Sequence, residues 1–143
     1  MAPPLREKDV KVKEADRARY QDEATSLGKK VADALSATSG IDDKAVWEAY
    51  AGTEKLIAVL RYRLDYETPG VFTKLPDASD PAGLLQEARA QLLAAAEELS
   101  ARNMIEAVET LRKARNNLRS YLTEKRKAET KAQRRTRGVP STG

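Results

Sequence analysis

Two residue types are missing altogether from this 143-residue chain, which has no cysteine and no histidine. Without cysteine there is no disulfide framework and no thiolate metal site. Without histidine the usual general base, the commonest metal ligand and the side chain that titrates near neutral pH are lost together. Aromatic residues are scarce, at one Phe, one Trp and five Tyr. A core of Leu, Val, Ile and Ala with so few rings suits packed helices better than a β-sandwich. Long apolar runs are absent too, and none approaches the roughly 20 residues that a membrane span needs. The opening Met1-Ala2-Pro3-Pro4-Leu5-Arg6-Glu7-Lys8 also lacks the apolar stretch of a secretory signal. The expectation is a protein used inside a cell or packaged from one, of a length suited to one core.

What the chain has in abundance is charge, at 34% of its residues, and that charge is unevenly spread. Residues 1–20 carry a net +2, residues 21–111 a net −7 and residues 112–143 a net +9. An acidic body with a basic C-terminal end points to contact with a nucleic acid or a charged surface.

The spacing of apolar residues is helical throughout. Pro3 and Pro4 followed by mixed charges read as an extended arm. From about Glu14, Tyr20, Ala24, Leu27, Val31 and Leu35 form one stripe, weakened at Gly28 and stopped at Ser39-Gly40. A second helix starts at Asp42, whose carboxylate can cap it, with Ile41 spaced to pack on Val46. Its stripe is Val46, Tyr50, Thr53, Ile57, Leu60 and Leu64, with Trp47, Ala51 and Leu56 expected to widen the buried face, and it ends at Thr68-Pro69-Gly70. Residues 68–81 form the one long irregular segment, in which Val71, Phe72 and Leu75 are expected to fold back on the body. Asp80-Pro81 opens a third helix, with a capping carboxylate followed by proline at the first helical position. Its stripe is Leu85, Ala88, Leu92, Ala95 and Leu99, and Arg102-Asn103 makes a tight turn. A fourth helix carries Ile105, Val108, Leu111, Leu118 and Leu122, with Arg115 at a place where the stripe calls for an apolar residue. The predicted fold is all-α, an antiparallel bundle of about four helices. An extended arm covers 1–13, the bundle 14–122, and a basic tail over 123–143 continues the last helix.

Catalytic constellations are not found. The adjacent acids Asp22-Glu23, Asp42-Asp43 and Glu97-Glu98 point about 100° apart on a helix rather than at one target. The Glu-x-x-His pairs of di-iron bundles cannot be built without histidine. There is no Gly-rich phosphate loop and no nucleophile elbow. The chain is therefore read as a non-enzyme with no cofactor, no metal and no small-molecule substrate.

The binding signal lies at the C-terminal end. Arg112, Lys113, Arg115, Arg119, Lys125, Arg126, Lys127, Lys131, Arg134, Arg135 and Arg137 are opposed only by Glu124 and Glu129. Repulsion among these cations argues against a helix standing free in water, and a polyanion would relieve it while releasing counterions. Lys8, Lys11, Lys13 and Arg17 of the arm region are expected to add to the same surface. No helix-turn-helix or zinc-finger signature accompanies them, so base-specific readout is not expected. The tail also lacks the Trp, Phe and Leu face that an interfacial membrane helix buries. Tyr62 and Tyr66, interleaved with Arg61 and Arg63, could face a nucleic acid, but packing in the core or at its rim is the reading preferred.

Two resemblances follow. The stretch Leu84-Leu85-Gln86-Glu87-Ala88 through Asn103-Met104-Ile105-Glu106-Ala107-Val108-Glu109-Thr110-Leu111-Arg112-Lys113-Ala114 is similar to the helical hairpin of HEPN-type bundles. The ribonucleases of that family carry an Arg followed by a His. This chain has no His, so the likeness implies a catalytically inactive adaptor binding RNA or a protein partner. Taken whole, the basic arm, the small Ala- and Leu-rich bundle, the missing cysteine and the basic end resemble the coat proteins of filamentous archaeal viruses. That resemblance implies a structural subunit that wraps double-stranded DNA, assembles as a homo- or hetero-oligomer and resides in the virion. A chromosomal architectural protein of the cytoplasm or nucleoid would use the same physics.

Overall fold

The computed structural model describes residues 12–67 and 75–138, apart from the side chains of 135–138. Four helices account for most of it: α1 (Glu14–Leu35), α2 (Asp43–Leu64), α3 (Pro81–Ser100) and α4 (Met104–Gly138). Among the described residues no helix is long and apolar enough to cross a membrane.

The expected start signals operate at two of these helices. Asp42 accepts from the Lys44 and Ala45 amides at 3.1 and 3.3 Å, and half-buried Ile41 packs on the core beside it. Asp80 accepts from the Gly83 amide at 3.0 Å, with Pro81 in the first turn. The turn between α3 and α4 is closed by Arg102, whose φ of 60° lies in the left-handed region that costs a non-glycine residue about 1 kcal/mol. Its guanidinium has a use that glycine could not supply. It donates to the Val12 carbonyl at 3.4 Å and to Glu14 at 2.8 Å, tying the start of α1 to the end of α3.

The helices occupy the corners of a square. α1 packs on α2 and α3, and α4 packs on the same two, leaving α1 diagonal to α4 and α2 diagonal to α3. Every adjacent pair is antiparallel. Lys30 meets Glu48 between α1 and α2, and the Arg17 guanidinium reaches the Leu99 carbonyl between α1 and α3. Asn117 donates to Gln91 between α3 and α4, while Arg115 meets Glu54 between α4 and α2. Because α2 and α3 run the same way on opposite corners, the segment joining them must travel the length of the bundle. It is pinned against α4 at both ends, by Tyr66 Oη donating to Glu109 at 2.7 Å and by Ser120 Oγ donating to the Pro76 carbonyl. Those anchors lie eleven residues apart on α4, or about 16 Å. Val71 and Phe72 lie outside the described residues, and Leu75 is half-buried.

Leucine, valine and alanine fill the core, with Leu85, Ala88, Leu92, Ala95 and Leu99 of α3 all buried as their spacing predicts. At α2 the structure corrects the expected face. Ala49 and Leu56 are buried beside Val46, Ile57, Leu60 and Leu64, whereas Trp47 is 57% exposed and Ala51 is exposed. The buried sector lies further round the helix because α2 has neighbours only on the sides of α1 and α4. Contact with α1 is so close that a methyl added at Gly52 would come within 2.5 Å of Leu27.

The end where α1 begins has a carboxylate clasp. Glu14 accepts from Arg17 Nε at 2.9 Å as well as from Arg102, and these two guanidinium groups hold its pKa down at about 2 against an ordinary 4.5. A depressed carboxylate contributes stability that is complete above its ordinary pKa and is lost as pH falls through the folded value. Glu14→Gln is therefore expected to have a lower urea midpoint than the unaltered protein near neutral pH. The gap, followed by circular dichroism, should close between pH 4.5 and about 2.

Candidate nucleic-acid interface

α4 is two helices in one. From Met104 to Tyr121 its inward positions are apolar and buried, namely Met104, Ala107, Val108, Leu111, Ala114, Leu118 and Tyr121. Beyond Leu122 the positions that continue this side are Lys125, Ala128 and Ala132, and residues 124–134 are all exposed. The apolar stripe runs out where expected, yet the helix continues to Gly138. Helix initiation is the costly step, and the packed half has already met it, so Lys, Arg, Glu, Ala and Gln extend it one bond at a time. The exposed part from 123 to 138 is about 24 Å long.

Its root is anchored to α2. Tyr121 Oη donates to Asp43, and Lys125 Nζ lies 3.5 Å from the other oxygen of the same carboxylate. Burial, with Asp43 as acceptor, holds the Tyr121 phenol above its usual pKa, so it stays a donor over the working pH range. Beside this anchor is a groove of about 430 Å³ between the α1–α2 turn, the start of α3 and α4, with Ile41, Ala78, Pro81 and Leu84 on its walls.

The predicted cations fall into distinct groups. Arg112, Arg115 and Lys125 are committed within the bundle, to Glu109 at 3.0 Å, Glu54 at 3.2 Å and Asp43 at 3.5 Å. The bond to Glu54 accounts for arginine at position 115, where an apolar residue was expected. Arg17 is committed as well, its guanidinium held by Glu14, Gln21 and the Leu99 carbonyl. Lys13 is exposed immediately before α1, at its N-cap. Lys8 and Lys11 lie outside the described residues, as do the side chains of Arg135 and Arg137.

What remains is a coherent surface. Lys113, Arg119, Arg126, Lys127, Lys131 and Arg134 are exposed and make no ion pair among the described residues. Arg126, Lys127, Lys131 and Arg134 line one shallow face together with Thr123 and Thr130. Helical spacing of 4, 3 and 4 places Arg119, Thr123, Arg126 and Thr130 in one row of that face. Glu129 falls on the other side of the helix, in line with Leu111 and Leu118, and Glu124 lines the groove. The row from Arg119 to Arg134 is about 22 Å long.

The chain matches no known protein family, no curated protein and no solved structure.

The basic run was legible in the sequence, but its two hydroxyls were not singled out. Their signal was the same helical spacing, since Thr123 and Thr130 fall between the free cations.

Proposed function

We propose that this chain is a non-enzymatic structural protein that binds double-stranded DNA without reading its sequence, as a repeating coat subunit along the duplex. One observation carries the reading. The outward face of α4 holds Arg119, Arg126, Lys127, Lys131 and Arg134 free of ion pairs, on a helix that outruns its own core. Cations left without carboxylates are the groups that exchange condensed counterions for phosphates. Thr123 and Thr130 add hydroxyl donors for phosphate oxygens, contacts that set position rather than sequence. The face carries no aromatic ring on which an unpaired base could stack, which favours duplex over single strand. The overall resemblance to filamentous-virus coat proteins supplies the repeating mode, and residence in a virion follows from it.

The test is binding to duplexes of unrelated sequence, measured by fluorescence anisotropy over a range of salt, with negative-stain microscopy of the mixtures. The expected outcome is equal affinity for every sequence, steep salt dependence and regular protein–DNA filaments. Deleting residues 123–143 should abolish salt-sensitive binding and leave the helical signal of the bundle in place. Binding that survives the deletion, or that prefers one sequence strongly, overturns the reading.

A further inference from the structure

We infer that the outward face of α2 is a contact between two copies of this chain, related by a two-fold axis with their α2 helices antiparallel. The face is the one on which the sequence placed Trp47 and Ala51 in the core. Instead Trp47 is 57% exposed and Tyr62 is 85% exposed, and Ala51 and Ala58 are exposed between them. Trp47 is steadied by the Tyr50 ring at 5.6 Å, so it stands as a fixed plate rather than a loose side chain.

The partner is identified by symmetry. Along α2 the order is large, small, small, large at 47, 51, 58 and 62, with spacings of 4, 7 and 4. That pattern reads the same from either end. An isologous interface requires a surface complementary to itself after a two-fold rotation. With the axis at the level midway between Glu54 and Lys55, Trp47 comes level with Tyr62 of the second copy, and Ala51 with its Ala58. The two alanines let the helix backbones approach, while the rings close the contact at both ends, about 22 Å apart. Tryptophan and tyrosine are the residue types that dominate association energies.

Charge agrees with the same register. Glu48 comes level with Arg61, Lys44 with Asp65 and Glu54 with Lys55, each a pair of opposite sign. A parallel pairing would set every one of these charges against its own copy. Glu48 and Glu54 keep their partners Lys30 and Arg115 within the chain, so they sit at the rim as members of small networks. The mixed signs also distinguish this face from that of α4. A surface with acids and bases in near balance suits a protein partner, whereas a polyanion needs one sign.

The inference does not depend on DNA binding, and its test uses the full chain without nucleic acid. Sedimentation equilibrium should reveal a monomer–dimer equilibrium. Ala58→Arg, at an exposed position, should weaken it at least about tenfold while the circular dichroism is unchanged. The absence of cysteine makes the register directly testable. The double variant Ala51→Cys with Ala58→Cys should form a disulfide-linked dimer on oxidation. Either single variant should not, because in this register its two thiols lie seven residues apart along the helices, about 10 Å and beyond disulfide reach. A protein monomeric at every concentration overturns the inference, as does cross-linking by a single variant as efficient as by the double one. Trp47 is the only tryptophan in the chain. If its emission ignores protein concentration but is quenched by an oligonucleotide, the face belongs to nucleic acid and the inference fails.

Discussion

The combined variant Arg126→Glu, Lys127→Glu and Arg134→Glu is expected to weaken duplex DNA binding by two to three orders of magnitude while leaving the fold unchanged. These three side chains are exposed and make no ion pair among the described residues, so reversing them breaks nothing inside the protein. If the five cations of the row each meet a phosphate, the logarithmic salt slope is about −4.5. With only two of them still pairing, it should fall to about −1.8. Each bond between a cation and a phosphate is worth roughly 1 to 1.5 kcal/mol, so the affinity falls about a hundred- to a thousandfold. The control is Lys29→Glu with Arg89→Glu, exposed cations of α1 and α3 outside this row. It lowers the net charge similarly and should cost little affinity. Equal losses in the two variants would mean that total charge, rather than the α4 surface, governs binding.

Tyr121→Ala is expected to be among the most destabilising single changes near the candidate interface, at about 3 kcal/mol. The side chain is 5% exposed, and it is the last buried residue of α4 before the helix leaves the bundle. Its removal opens space beside the groove and breaks the bond to Asp43. Tyr121→Phe separates the two effects. It keeps the ring and loses only the hydroxyl, while the half-exposed Asp43 retains Lys125 and water, so the cost should be about 1 kcal/mol. For a chain of this length the alanine variant should melt about 10 °C lower, and the phenylalanine variant about 3 °C lower. Equal losses for both would make the Asp43 bond, rather than packing, the anchor of α4. Either result bears on function, because Tyr121 fixes the direction in which the basic helix leaves the bundle.

Much of the fold was readable from local signals, because those signals act locally. Asp42 and Asp80 cap helices as their spacing predicts, since a capping carboxylate needs only amides two or three residues away. The α3 stripe was read without error because its large apolar residues are separated by alanines and charges that leave one possible face. At α2 the same method went astray. Apolar residues occur nearly all round that helix, and periodicity could not tell which sector would meet neighbours. Ala49 turned inward where α4 and α1 come close, and the larger Trp47 was left outside. The connection of α2 to α3 was equally illegible. A sixteen-residue link from 65 to 80 can turn back at one end of a bundle or cross its full length. The choice depends on anchors such as Tyr66 with Glu109, 43 residues apart in the chain.

By itself the sequence determined that this is an all-helical protein, where three of its helices begin, and that its uncompensated positive charge gathers at one end. Those are properties of composition and of neighbours within one helical turn. Only the tertiary structure decided which of the cations are free to bind. Arg115 is taken by Glu54, 61 residues away, Lys125 by Asp43 and Arg17 by the clasp at Glu14, so the sequence alone credited all three to the binding surface. Ion pairs form between whatever side chains packing brings within about 4 Å, and packing is set by the whole core at once. The same sorting left Arg119, Arg126, Lys127, Lys131 and Arg134 in one unpaired row, and put Trp47 and Tyr62 outside the core they had been expected to fill.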